Sequence, residues 1–305
     1  MRELLVTLIL LGAFGAKARE NGDPDALGTW RYRDATRKVK VVIIGGSITA
    51  WPSGNFGDFL VGACKNIELV NRGQVGDGAL ALKQRFRRQL LQNPNVKLKD
   101  KAFEYWLLFN GGLNSIFSAD STIKFTSEMF QMAHDSGVHV AALSLTPWGA
   151  DQDSRWRGLS GLTYFDRTKK VVDFTLGRLK RYEALGGTEA EWHKGELPDV
   201  AVDLYDSALR NAEAPLRDAV RLGKSFAANK ALQREYPDAQ AAIARAAAVP
   251  RWYMKPLYKA FDHIHPNTEG HRLIAELSCP KMPASWGCDC PAIKTLVWKG
   301  RIVRP

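Results

Sequence analysis

A chain of 305 residues, 45% hydrophobic and 25% charged, can bury one good-sized core and carry an insertion, which excludes a disordered or low-complexity protein. Its formal charge of +11 favours contact with polyanions such as acidic polysaccharide, lipid headgroups or nucleic acid. The basic residues are scattered, however, and the densest cluster, Lys83 to Gln89, has helical spacing and reads as a solvated helix face, so no nucleic-acid partner is expected.

The first twenty residues, "MRELLVTLILLGAFGAKARE", open with a short charged start and continue as an apolar run from Leu4 to Ala16, with Ala16 and Ala18 flanking Lys17. That is the layout of a secretory signal peptide over 1–18, cleaved after Ala18; an uncleaved N-terminal anchor is the alternative. The mature protein is expected to be secreted or periplasmic. No later stretch approaches the length of a membrane span, so no stable membrane insertion is expected after cleavage.

A polar linker over 19–38 leads into apolar runs at Val39 to Ile44, Ile67 to Val70, Phe103 to Phe109, Val138 to Leu145 and Val200 to Leu204. Between them lie helix-like stretches at Phe56 to Cys64, Leu80 to Leu91, Ser121 to His134 and Arg167 to Leu185. This alternation predicts an α/β fold, a three-layer α/β/α sandwich on a central parallel sheet. The segment from Ser207 to Lys259 breaks the alternation. Leu216, Ala219, Val220, Gly223, Phe226 and Ala227 fall at helical spacing, and an alanine-rich helix from Asp238 to Val249 ends at Pro250. It reads as a helical insertion or lid within a domain spanning 39–278, followed by a cysteine-containing tail over 279–305.

Cys64, Cys279, Cys288 and Cys290 permit two disulfides in three connectivities, with one bridge expected to staple the tail. A zinc site on Cys279, Cys288 and Cys290 is the alternative, but it lacks a clear fourth ligand.

Four separated stretches put unusual residues at expected strand ends. "IGGSIT" carries Ser47, "VNRGQVGDG" carries Asn71 and Gly76, "LFNGGLNS" carries Gly112 and Asn114, and "FDHIHPNTEGH" carries Asp262 and His265. Ligands of open α/β sheets bind outside the carboxyl ends of the strands. Together these residues suit nucleophilic acyl transfer. His265 can take the Ser47 proton, and Asp262 can orient the imidazole if the chain folds back within one turn. The N–H groups of Ser47 and Gly76 and the Asn114 amide can hold the oxyanion. His263 and His265 with Asp262 could instead hold a metal, but no further ligand cluster accompanies them. "RLGKS" from Arg221 to Ser225 lacks the first glycine of a phosphate-binding loop, and "GLSG" at Gly158 lacks the spacing of the G-x-S-x-G elbow.

The four blocks resemble the SGNH, or GDSL-like, hydrolase superfamily, whose flavodoxin-like fold the alternation fits. Gly45-Gly46-Ser47 stands for the usual G-D-S, Asn71 through Gly76-Asp77 for the glycine block, Gly112-Leu113-Asn114 for G-x-N, and Asp262-His263-Ile264-His265-Pro266 for D-x-x-H-P. The resemblance implies Ser47 as nucleophile, Asp262 and His265 as its triad partners, and an oxyanion hole from Ser47, Gly76 and Asn114. Ser115 stands where the family often has aspartate, which puts the local loop packing in question. Trp51, Trp148 and Trp252 could stack on sugar rings or hold acyl chains, unless they fill the core. The expected function is an exported serine esterase acting on O-acyl groups of carbohydrate or a similar small ester, with no cofactor and no metal. An O-acyltransferase using the same triad, or a non-catalytic carbohydrate-binding module, are the alternatives.

Overall fold

The structure is a computed structural model that describes residues 30–52, 54–298 and 302–303. The signal-peptide reading over 1–18 and most of the linker lie outside the described residues. Five strands, β1 (Val39–Gly45), β2 (Ile67–Asn71), β3 (Glu104–Asn110), β4 (His139–Leu143) and β5 (Val200–Val202), form one sheet in the order β2-β1-β3-β4-β5. Every pairing in it is parallel. This is the flavodoxin-like order, and it sets the carboxyl ends of all five strands along one edge.

The sheet is covered on both faces because its strands are apolar on both faces. Every residue of β1 is buried. Val42 and Ile44 pack with Leu107, Phe109 and the helices α2 (Ala79–Phe86), α3 (Ala119–Asp135) and α4 (Ser160–Thr175). Val41 and Ile43, one residue out of phase, pack on the other face with α1 (Phe56–Ala63) and the C-terminal helix over Thr268–Ser278. In α3 the buried positions Thr122, Ile123, Thr126, Met129, Phe130 and Ala133 recur at helical spacing and form the stripe that meets the sheet. Among the described residues no helix is long and apolar enough to cross a membrane.

Three expectations need correction. The helix predicted over Arg167 to Leu185 starts earlier, at Ser160, and divides into α4 and α5 (Arg181–Leu185) because Gly177 takes a positive φ of 65° and ends the first piece. The basic cluster after Leu82 is not wholly a solvated face, since the Arg85 side chain is 2% exposed and paired with Asp77 at 2.9 Å. The zinc alternative fails because all four cysteines are bridged, Cys64 to Cys288 and Cys279 to Cys290. The second bridge staples the tail, and the first ties the end of α1 to it.

The insertion folds as α6 (Ala219–Ala227), α7 (Lys230–Glu235) and α8 (Ala239–Ala248). Leu222 and Phe226 of α6 and Ala242, Ala246 and Ala247 of α8 close a small core against Leu159 and Leu162 at the start of α4. Arg217, ahead of α6, pins this layer. Its guanidinium donates to Asp151 Oδ1 at 2.5 Å, to the carbonyls of Trp156, Gly158 and Ala246 at 2.5, 2.8 and 3.1 Å, and to the Tyr253 hydroxyl at 2.5 Å. The carbonyls come from the loop after β4 and from α8, so one side chain joins the insertion to the domain. The C-terminal helix is α9 (Thr268–Ser278), and a short hairpin, β6 (Val297–Trp298) with β7 (Ile302–Val303), ends the described chain.

Losing a partly buried charged donor strands several acceptors at once, while the half-exposed Asp151 recovers part of its solvation. Arg217→Ala is therefore expected to lower stability by about 2–3 kcal/mol, read from denaturant midpoints, and to make the segment around α6 to α8 the first site of limited proteolysis. An unchanged midpoint and cleavage pattern would show that the insertion is held by its apolar contacts alone.

Candidate active site

Ser47 sits two residues beyond β1, in a turn closed by Ala50 N–H donating to Gly46 C=O at 2.9 Å. The turn is packed so tightly that only glycine fits behind it. A Cβ on Gly45 would lie 2.3 Å from the Asn110 carbonyl and 2.0 Å from Thr49 Oγ1. The loop after β2 closes over the same turn. Asn71 Nδ2 donates to Thr49 C=O at 2.8 Å, and Gln74 N–H donates to Gly45 C=O at 3.0 Å.

Asp262 and His265 lie in a loop drawn together at its base by the Lys259–Pro266 bridge and by Ala260 N–H donating to His265 C=O at 2.8 Å. Asp262 Oδ1 accepts from the backbone N–H groups of Ile264 and His265 at 2.9 and 2.8 Å, which folds the segment into an aspartate-capped turn. Its other oxygen, Oδ2, is then 2.7 Å from His265 Nδ1. His265 Nε2 is 2.8 Å from Ser47 Oγ, so a continuous hydrogen-bonded chain runs from carboxylate through imidazole to hydroxyl. Burial acts to raise the Asp262 pKa, but the hydrogen bonds from the His265 ring and the two backbone N–H groups outweigh it and hold the carboxyl at about 2.

Opposite this chain, Gly46, Ser47, Gly112 and Asn114 help line a recess of about 20 Å³, room for roughly one water-sized atom. Asn114 Nδ2 donates one hydrogen to Asp77 C=O at 3.1 Å. A Cβ on Gly46 would come 3.0 Å from that same nitrogen, so the missing side chain leaves Asn114 room beside Ser47. Gly76 lies at a positive φ of 85°, with nothing within 4 Å of where a Cβ would stand. Glycine is thus required there by backbone conformation, not by crowding.

Supporting residues that sequence reasoning missed hold these loops. The buried Arg85 guanidinium donates to Asp77 Oδ2 at 2.9 Å and to Arg72 C=O at 2.6 Å, fastening the loop that contains Gly76. Ser115 Oγ accepts from Ala79 N–H at 3.1 Å and from Thr122 Oγ1 at 2.9 Å, so this side chain ties the Asn114 turn to α2 and α3. The aspartate directly after Gly76 was the available signal for the first contact; nothing local marked Arg85 as its partner.

The three tryptophans separate. Trp51 stacks on His265, with ring centroids 5.9 Å apart and planes at 28°, and on Phe261 at 6.4 Å and 20°. Trp148 is 1% exposed, donates from Nε1 to Thr168 Oγ1 at 3.1 Å and meets Trp156 edge-on at 4.6 Å. It is a core residue. Trp252 stacks on Tyr205 at 5.3 Å beneath the Arg210 guanidinium, and it lines neither cleft that the triad residues border. The structure thus brings Ser47, Asp262, His265, Asn114 and Trp51 together and leaves Trp148 and Trp252 out. Beneath Trp51, His271 is fully buried between it and Phe56, and burial, with the nearby His265 charge, lowers its pKa to about 3.

No protein-family profile matches the chain, and no curated protein matches it. Among solved structures it is similar to the lipase/acylhydrolase from Enterococcus faecalis, at 14% identity and a TM-score of 0.45 over 82% of this chain and 97% of that one. It is similar to a member of the lipolytic protein G-D-S-L family from Veillonella parvula, at 12% identity and a TM-score of 0.46 over 79% and 97%. An acetyl xylan esterase, AlAXEase, stands at 14% identity and a TM-score of 0.45 over 80% and 100%. At these values the chemistry rests on the side chains themselves.

Proposed function

We propose that the protein is a serine ester hydrolase of the SGNH type, exported from the cell, that removes O-acyl groups from carbohydrate. The observation that carries the reading is the unbroken chain Asp262–His265–Ser47, at 2.7 and 2.8 Å, beside a recess sized for one oxygen. In the first step Ser47 Oγ attacks the acyl carbon while His265 Nε2 takes its proton, and the imidazolium formed is balanced by the Asp262 carboxylate. The carbonyl oxygen gains charge against the N–H groups of Ser47 and Gly76 and the amide of Asn114. Collapse expels the sugar oxygen, which receives the proton from His265. Water then repeats the sequence on the acyl-serine, releasing the acid and restoring Ser47. Two disulfides among the described residues fit an oxidising compartment, and with the leader-like 1–18 they support export.

Hydrolysis of 4-nitrophenyl acetate is expected for the wild type and should fall by at least about 10³-fold in Ser47→Ala with folding intact. Absence of turnover by a folded wild type, or equal turnover by the variant, would contradict the reading.

The pH profile follows from Asp262. A carboxyl held at about 2, below its ordinary 3.8, is charged at all pH values well above 2, so its ion-pair contribution is present above the ordinary value and is lost only as pH falls through 2. Asp262 therefore takes up no proton until pH approaches 2 and adds nothing to a loss of activity on the acid side above that. The logarithm of kcat/KM for 4-nitrophenyl acetate should fall with a slope of one there; a slope of two would show the carboxyl protonating together with the imidazole.

A further inference from the structure

Beside the triad, on the side of Asp262 and away from the oxygen-sized recess, two open cavities of about 370 and 320 Å³ adjoin one another. The nearer is bordered by Asp262, His263 and Phe261, and the farther by Arg217, Tyr253 and other residues of the insertion. Ala150, Gln152 and Lys259 line both, so the two form one groove leading from the triad to the insertion. Its volume is in the range of small-ligand sites, and its walls mix apolar surface with polar groups.

The charges along it are balanced with one exception. Asp153 is held by Arg155 and His263, each at 2.6 Å, and burial of its carboxyl is outweighed by these contacts, which hold it at about 2. Asp151 is paired with Arg217 at 2.5 Å, and Asp262 with His265. Lys259 has no acidic partner among the described residues. It stands where the two cavities meet, its backbone fixed by the Lys259–Pro266 bridge and by Asn267 Nδ2 donating to its carbonyl at 3.1 Å. The loop that presents His265 to Ser47 therefore also places Lys259, without an acidic partner among the described residues, on the wall of the groove. At the mouth, the Phe261 ring is 74% exposed and stacked against Trp51, a flat apolar face next to hydrogen-bonding walls. An aromatic platform beside polar groups suits a sugar ring, with its apolar C–H face and its hydroxyl edge.

We infer that this groove holds the non-reacting part of an anionic glycan, with Phe261 under a sugar ring and Lys259 paired with a carboxylate. The substrate class is thus an O-acylated polysaccharide that contains uronic acid. The substrate assignment rests on the ester-hydrolase reading above, whereas glycan binding by the groove can be measured without it.

The test is affinity electrophoresis of the full chain through gels containing polygalacturonate, which carries the carboxylates but no ester, with dextran sulfate and neutral xylan gels alongside. Wild type should be retarded by polygalacturonate more than by xylan. Lys259→Gln should weaken the polygalacturonate interaction about fivefold and leave the dextran sulfate interaction, which reads overall basic charge, within twofold; Lys259→Arg should restore most of the loss. No retardation by polygalacturonate, equal weakening toward both polyanions, or full retention by Lys259→Gln would each overturn the assignment. Because no ester is present, such a result leaves the activity of Ser47 to be judged by 4-nitrophenyl acetate, and loss of that activity leaves this one standing as a binding site.

Discussion

Everything at the candidate site depends on how closely the end of β1 is approached by its neighbours. Gly45 pairs with Asn110 of β3, and no side chain could occupy its Cβ position with the Asn110 carbonyl 2.3 Å away. Gly73, from the loop after β2, comes equally near from the other side, where a Cβ would stand 2.4 Å from Ala50 N. With glycine at both points, the loops after β2 and β3 press against one turn, and Asn114 and Asp77 share a recess with Ser47. Alanine at Gly45 would force backbone atoms apart, so the cost would fall on sheet register as well as on the site.

Around that constraint, charges are used to position loops and not merely to solubilise the surface. The Asp77–Arg85 pair is nearly removed from water, and such a pair earns its place only with good geometry and further hydrogen bonds, which the Arg72 carbonyl supplies. Arg217 does the same for the insertion. Asp262 spends one oxygen on two backbone N–H groups and the other on the imidazole, so the turn that shapes the loop also aligns the histidine. In each case a single ionised side chain satisfies backbone groups and a side-chain partner at once, from another segment for Arg85 and Arg217 and from its own loop for Asp262, and the loops acquire one arrangement.

The strands were legible because four successive β-branched residues at Val41 to Ile44 can be buried on both faces only in a covered parallel sheet, and all five apolar runs became its strands. Ser47 and Asn114 were legible as blocks at strand ends, which the parallel sheet brings to one edge, whereas Asp262 and His265 follow no strand: β5 ends at Val202, and their loop reaches Ser47 from between the insertion and α9. Other features were hidden for stated reasons. Helical spacing places Arg85 on a helix without saying which neighbour faces it, so its buried partnership with Asp77 was invisible. An aromatic residue after a strand reads the same whether it lines a cleft or, like Trp148, fills the core beside Trp156. Disulfide pairing depends on tertiary proximity, and the bridge from Cys64 to Cys288 spans 224 residues. The groove at Lys259 exists only because the insertion folds back beside the triad loop, a placement no local pattern encodes.

The account stands or falls on whether Ser47 is an activated nucleophile. The most direct measurement is peptide mapping by mass spectrometry after brief exposure of the full chain to a fluorophosphonate, which phosphonylates a serine only when its hydroxyl is activated. The account predicts a single adduct, on Ser47, formed at a rate that drops sharply in His265→Ala. A folded protein that acquires no adduct, or one labelled at another residue with Ser47 untouched, would contradict it.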